Sequence, residues 1–279
     1  MNNEEYNQQI KEFRSDQQGL INRFTMNHTY DLCKNDETIV NFVNHTIEKQ
    51  YIVYEEDKID VKEDDITTNI IISKKRTYEA AKAYKNKKVA VLNFANNHRI
   101  GGGPWSANAQ EESLCRCSTL YPCLEACKET FYVPHQNKYN SNEMDCYGND
   151  DLIYSPDVVV FKTDESSPLM MEEDEWYKVD VITSAAPEYF GSKRNPERLT
   201  KVLSSRLEKV LQVAKKEGVE VLILGAYGCG AFCNPPSIVA NIFKELLTKY
   251  YFETVEFAIY CRNQVEPNNY SIFRDTFIN

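Results

Sequence analysis

The chain has 279 residues, 42% hydrophobic and 27% charged, and its 32 basic and 42 acidic side chains give a net charge of −10. That mix fits a soluble globular protein with room for one large core or two modest ones. It excludes a broad basic face for DNA or RNA, and no apolar run nears the ~20 residues that span a bilayer, so neither nucleic acid nor membrane is expected as a partner.

Along the chain, the opening MNNEEYNQQIKEF is polar and acidic and has no leader-like apolar core, so a location inside a cell, in the cytoplasm or nucleus, is expected. Residues 22–35 and 36–50 are read as helices, and 51–61 as a strand pair. The pattern sharpens after residue 73. It predicts a short helix over 77–85, a buried strand over 88–94 (KVAVLNF) and a loop over 95–103. A long helix is expected from about Asn108 to Cys127, interrupted at Pro122. Residues 132–157 read as irregular loop, 158–162 as a strand, and 164–175 as a solvated acidic loop. A strand over 178–184 leads to Ala185, Ala186 and Pro187. Leu199, Val202, Leu203, Leu207, Val210, Leu211 and Ala214 recur at helical spacing, predicting a helix over 196–217 closed by Gly218. A strand over 219–224, a proline-started helix over 235–250 and a last strand over 254–261 complete the pattern.

Apolar strands alternating with helices imply a three-layer α/β/α fold with a mixed, largely parallel central sheet. Ligands of such folds sit beyond the carboxyl ends of the strands. The loops after residues 94, 184 and 224 leave strands there.

Nine cysteines and no leader-like segment argue against a disulfide framework. Cys115, Cys117, Cys123 and Cys127 form C-x-C-x5-C-x3-C. They read as buried thiols on the core face of a helix; a zinc site is the alternative, but it usually carries C-x2-C pairs. His28, His45, His98 and His135 are scattered and form no ligand cluster.

The stretch from Asn93 to Glu112, NFANNHRIGGGPWSANAQEE, carries the chemistry. Consecutive glycines let the backbone approach a ligand and turn N–H groups toward phosphate or ribose oxygens. A helix starting near Asn108 puts Glu111 and Glu112 in its first turn, where acids favour the helix dipole; Asn108 and Glu111 fit a capping box. The second constellation is GAYGCGAFCN, residues 225–234, a glycine-rich strand-to-helix turn of the kind that binds diphosphates through backbone N–H groups. It lacks the Walker lysine and the G-x-G-x-x-G spacing, which weakens ATPase and dinucleotide readings.

Together, GGG followed after six residues by QEE resembles the signature of poly(ADP-ribose) glycohydrolases. VLNFAN, SLCRCSTLYPCL, ITSAAP and LGAYGCGAFCNPP are similar to the microbial branch. The chain departs from that branch at His98, Arg99 and Ile100, where microbial members often have a Gly/Pro-rich turn. The resemblance implies a macrodomain that hydrolyses the ribose–ribose O-glycosidic bonds of poly(ADP-ribose), reversing ADP-ribosylation. Its partners would be poly(ADP-ribose) and poly(ADP-ribosyl)ated proteins, its product ADP-ribose, with no cofactor or metal and a monomeric state. It makes Glu112 the catalytic glutamate and Glu111 the neighbour orienting ribose hydroxyls. Asn96 would contact the same ribose, and Gly101, Gly102, Gly103 and Gln110 would shape the ribose and diphosphate site. Gly228, Cys229, Gly230, Ala231 and Phe232 would hold the diphosphate, with Phe232 packing on the ligand. Residues 1–75 resemble the accessory part of microbial members, packed on a catalytic domain over 76–279.

Cleaving a ribosyl acetal needs a proton on the departing oxygen and a stabilised oxocarbenium-like centre. Consecutive helix residues project about 100° apart, so Glu111 and Glu112 are not expected to face each other or to oppose each other across the bond, as paired carboxylates ~5–9.5 Å apart do. One acid/base, Glu112, is therefore expected. A non-catalytic ADP-ribose reader and a hydrolase of another ADP-ribosyl linkage are the alternatives.

Overall fold

Strand β3 (Val89–Ala95) places the sheet at the centre of the molecule. Its side chains alternate between two cores: Ala90 and Leu92 enter one, Val89 and Val91 the other. Strands β5 (Tyr177–Ala185) and β6 (Val221–Leu224) flank it in parallel and alternate in the same way. Strands apolar on both faces require helices on both sides. Truncating Leu92, fully buried here, to Ala costs ~2–5 kcal/mol by the usual large-to-small scale.

The computed structural model describes residues 1–63, 66–190, 194–262 and 264–278. Seven strands run in the order β1 (Tyr51–Val53), β4 (Leu152–Val160), β5, β3, β6, β7 (Thr254–Ala258), β2 (Asn69–Ser73). The five from β5 to β2 are parallel, while β4 runs antiparallel to β1 and β5. Helices α8 (Pro196–Lys216), α9 (Pro236–Leu246) and α10 (Asn269–Ile278) cover one face. Helices α4 (Thr77–Lys82), α5 (Gln110–Cys117) and α6 (Leu120–Ala126) cover the other. The three-layer expectation holds.

Helices α1 (Asn3–Glu12), α2 (Gln18–Asn35) and α3 (Glu37–Lys49) form a third cluster, in which Tyr6, Ile21 and Ile39 meet Cys123, Phe161 and Met170. The Lys162 ammonium seals this seam, donating to Thr29 Oγ1 at 2.7 Å and to Thr25 O at 3.2 Å. Burial pulls its pKa down to about 7. The strand pair expected over 51–61 is only β1. Its partner is β4, and β2 pairs β7 at the opposite edge. Residues before 76 thus supply both edges of the sheet, and the boundary expected at 75 does not separate two structural layers.

Other expectations are corrected locally. The long helix breaks at Ser118, not at Pro122. Ser118 is extended and bridges to Val160, while Thr119 N donates to Val159 O at 3.0 Å. Pro122 lies in the first turn of α6, where its missing N–H costs nothing. Within 132–157 lie helix α7 (Val133–Asn140) and the start of β4. Asp164, expected in solvent, is buried and accepts from Ser113 Oγ at 2.7 Å and Tyr78 N at 3.0 Å. The last strand stops at Ala258, and α10, not foreseen, sets Phe273 against Phe257. Cys115, Cys117, Cys123 and Cys127 are buried thiols on α5 and α6 and just beyond them.

Candidate active site

Helix α5 is fixed to the end of β3 by its first side chain. Gln110 Oε1 accepts from Phe94 N at 2.9 Å, and Gln110 Nε2 donates to Leu92 O at 2.8 Å and Thr77 Oγ1 at 3.1 Å. Its amide thus acts as a short extra strand against β3. Gln110 borders the cleft, but these three bonds make it a positioning residue.

Next along α5, Glu111 is buried between two asparagines. Its Oε2 accepts from Asn96 N at 2.9 Å and its Oε1 from Asn93 Nδ2 at 3.3 Å. Burial drives the Glu111 carboxyl well above the usual range, opposed by the Asn96 N–H and reinforced by the charge of Glu112. Glu112, 7% exposed, accepts from Gly103 N at 3.1 Å through Oε1 and from Ala109 N at 3.0 Å through Oε2. The capping box foreseen for Asn108 is therefore not formed. The helix starts at Gln110, Glu112 satisfies Ala109 N, and Asn108 Oδ1 instead accepts from Arg116 Nη2 at 3.3 Å.

The two carboxyls do not diverge as their 100° step suggested. Gly102, at φ +68°, lies against both: a Cβ there would strike Glu112 Oε1 and come within 3.1 Å of Glu111 Oε2. Long side chains bring both heads to one point on one wall of the cleft, and the approach is open because residue 102 has no side chain. Asn96 Oδ1 folds the same loop by accepting from His98 N at 3.1 Å and Arg99 N at 2.9 Å. Buried Arg116 ties down its far end through Pro104 O and Ala107 O, both at 2.9 Å. Arg116 lies within the SLCRCSTLYPCL segment, but its role in holding the loop was not foreseen.

The 225–232 loop after β6 forms the opposite wall. Gly228, at φ +69°, packs against Asn234 and Ala186. Asn234 Nδ2 donates to Pro187 O at 2.8 Å and to Gly228 O at 3.0 Å, joining this loop to the one after β5. Among the described residues, none accepts a hydrogen bond from the N–H groups of Gly230, Ala231 or Phe232. Three successive free donors at a helix approach suit an anion.

A cleft of about 520 Å³ lies between these walls. Asn96, Gln110, Glu111, Glu112, Gly228, Gly230, Ala231 and Phe232 border it, which brings together most of the residues singled out in the sequence. Gly102 and Gly103 act through Glu112 rather than by bordering the void. Gly101 faces Cys115 and Tyr121 and seats the loop on α5 and α6. Cys229 also lies off the cleft: its side chain packs on the core, and burial holds its thiol well above the ordinary range. The far end of the cleft includes Arg76, Tyr260 and Arg262, none of them foreseen. The Arg76 guanidinium stacks 4.4 Å over Tyr260. The rule that ligands lie beyond strand ends applies after β7 as well, and would have flagged Tyr260 and Arg262. Among the described residues, no group of three or more His, Cys, Asp and Glu is placed to hold a metal ion.

The model of the microbial-type PARG catalytic domain matches residues 23–163. The poly(ADP-ribose) glycohydrolase of Thermomonospora curvata superposes with a TM-score of 0.81 at 30% identity, covering 92% of this chain and 99% of that one. The same enzyme bound to the inhibitor ADP-HPD gives 0.79 at 30% identity, over 91% and 98%. The Deinococcus radiodurans poly(ADP-ribose) glycohydrolase in complex with ADP-ribose gives 0.73 at 28% identity, over 85% and 96%. No curated protein matches the chain. With a family model over half its length and near-complete structural coverage, the chain belongs to the microbial-type poly(ADP-ribose) glycohydrolase family.

Proposed function

We infer that this chain hydrolyses the ribose–ribose O-glycosidic bonds of poly(ADP-ribose) and releases ADP-ribose, with Glu112 as its acid/base. The observation that carries the reading is the convergence of two adjacent carboxyls on Gly102, with three successive backbone N–H groups bordering the same cleft that have no acceptor among the described residues. The donors suit a diphosphate, and the distal ribose of the same unit then lies at the carboxyls.

The residues divide the work as follows. Glu112, in its protonated form, gives its proton to the 2′ oxygen as the C1″–O2′ bond breaks and positive charge builds at C1″. Water attacks C1″ and yields its proton to the Glu112 carboxylate, restoring the starting state. Each Glu112 oxygen accepts one backbone N–H and retains a site for this exchange. Glu111, held by Asn93 and Asn96, meets the ribose hydroxyls. Both carboxyls stand on one wall, so Glu111 does not oppose Glu112 across the bond, and the ligand diphosphate helps to place the water.

The test is incubation with poly(ADP-ribosyl)ated protein, following free ADP-ribose. Wild-type chain releases it. Glu112→Gln loses about 10²–10⁴-fold in turnover, the usual worth of general acid catalysis, while still binding ADP-ribose. Near-normal hydrolysis by the variant would remove Glu112 from the mechanism. Tight ADP-ribose binding without hydrolysis by the wild-type chain would make it a reader.

A further inference from the structure

Phe232 borders both the cleft and a separate shallow groove, lined also by Asn97, His98, Tyr139, Cys146 and Glu188. The groove encloses only about 10 Å³, so it offers a surface and not a pocket. That surface is aromatic and fixed. His98 stacks on Tyr139, ring centroids 4.9 Å apart and planes 22° from parallel. His98 Nδ1 pairs with Asn97 Oδ1 at 2.7 Å. Helix α7 holds the assembly from below: His135, one turn before Tyr139, bonds Asn97 O at 3.0 Å through Nδ1 and Asp151 at 2.7 Å through Nε2. Tyr139 is nonetheless 37% exposed, and Arg99 beside the stack is open to solvent.

Resting on the function proposed above, the direction of the substrate decides what meets this surface. A unit filling the cleft puts its distal ribose at Glu112, so the scissile bond points out of the cleft. The departing sugar belongs to the next unit and carries that unit's adenine. Phe232 borders both spaces, and Asn96 in the cleft is followed directly by Asn97 in the groove. We propose that the His98–Tyr139 stack is the platform for the adenine of the departing unit, with Arg99 beside that unit's diphosphate, and that these residues favour polymer over smaller leaving groups. Bases stack on aromatic faces with little regard to sequence, and a preorganised ring pair loses little freedom in receiving one.

The decisive measurement is binding of a two-unit ADP-ribose oligomer and of ADP-ribose itself to Glu112→Gln protein, with and without Tyr139→Ala. The platform makes the oligomer bind tighter than ADP-ribose. Tyr139→Ala should weaken oligomer binding about 5- to 100-fold, the range of single base-stacking losses, with ADP-ribose affinity unchanged and Tyr139→Phe restoring the difference. In the otherwise wild-type chain the same loss should fall mainly on KM. Equal oligomer affinity with and without Tyr139→Ala would overturn the platform, as would a parallel loss for ADP-ribose alone. Because binding is read without turnover, a wild-type chain that cleaves nothing would strike the proposed activity and leave the platform decided by these affinities.

Discussion

The two glycine-rich loops that meet over the cleft are built on opposite plans. In the 96–103 loop the backbone is committed inward: Gly102 N to Arg99 O, His98 N and Arg99 N to Asn96, Gly103 N to Glu112. In the 228–232 loop only Cys229 N is turned inward, to Ala226 O, and the N–H groups of Gly228, Gly230, Ala231 and Phe232 lack acceptors among the described residues. One loop is a mould for carboxyls; the other is a receptor for an anion. Glycine serves close approach in both, but the element approaching is a side chain in the first and a ligand in the second.

That contrast can be broken from either side. The largest effect is expected at the mould's product, Glu112→Gln, as given above. Gly102→Ala comes next. The left-handed backbone costs ~1–2 kcal/mol for a side chain, and the new methyl displaces the Glu112 carboxyl. Misplacement by about 1 Å costs roughly 10²-fold, so turnover should fall by about that factor while ADP-ribose affinity holds, as kinetics and calorimetry would report. The receptor predicts the reverse division. Gly228→Ala drives its methyl into Asn234 and Ala186, and should weaken ADP-ribose binding by about tenfold, the worth of a lost charge-assisted hydrogen bond. Gly19→Ala, with nothing near its added carbon and not bordering the cleft, is the matched control; equal losses at 228 and 19 would refute the assignment. The smallest effect concerns Lys162, remote from both loops. Its folded pKa, about 7, lies below the ordinary lysine value. Above pH 7 the unfolded chain therefore holds a proton that the folded chain releases, and this group's contribution to stability rises with pH, by at most ~1.4 kcal/mol per unit. Urea unfolding between pH 7 and 8.5 should show that slope flattened in Lys162→Met, the comparison cancelling the thiols that begin to ionise in the unfolded chain over the same range.

The mould was the more legible of the two in the sequence, because GGG and QEE are local and their chemistry is carried by side chains. The convergence of Glu111 and Glu112 was not legible. Helical spacing fixes where side chains leave the backbone, not where five-atom arms end. Gln110 shows a related gap: an amide beside a glutamate pair suggests ligand contact, and only the structure adds that it also ties α5 to the backbone of β3. The central strands were found by apolar runs, which mark elements buried on both faces. The edge strands β1 and β2 are short and half-covered: β1 offers only three residues, and the Ile70–Ile72 run of β2 stands isolated in a stretch that reads as irregular. Arg76, Tyr260 and Arg262 converge only through the strand order, which one sequence does not state.

The placement of those edge strands has a consequence for trimming the protein. The segment from residue 51 to 73 borders the sheet on both sides, though only a short stretch of chain separates its two strands. A fragment begun at residue 76 would keep every catalytic and anion-binding group named here, yet expose unpaired N–H and C=O rows on β4 and β7. Such rows recruit strands from other molecules, so the shortened protein would fail by clumping before any defect in its chemistry could be measured.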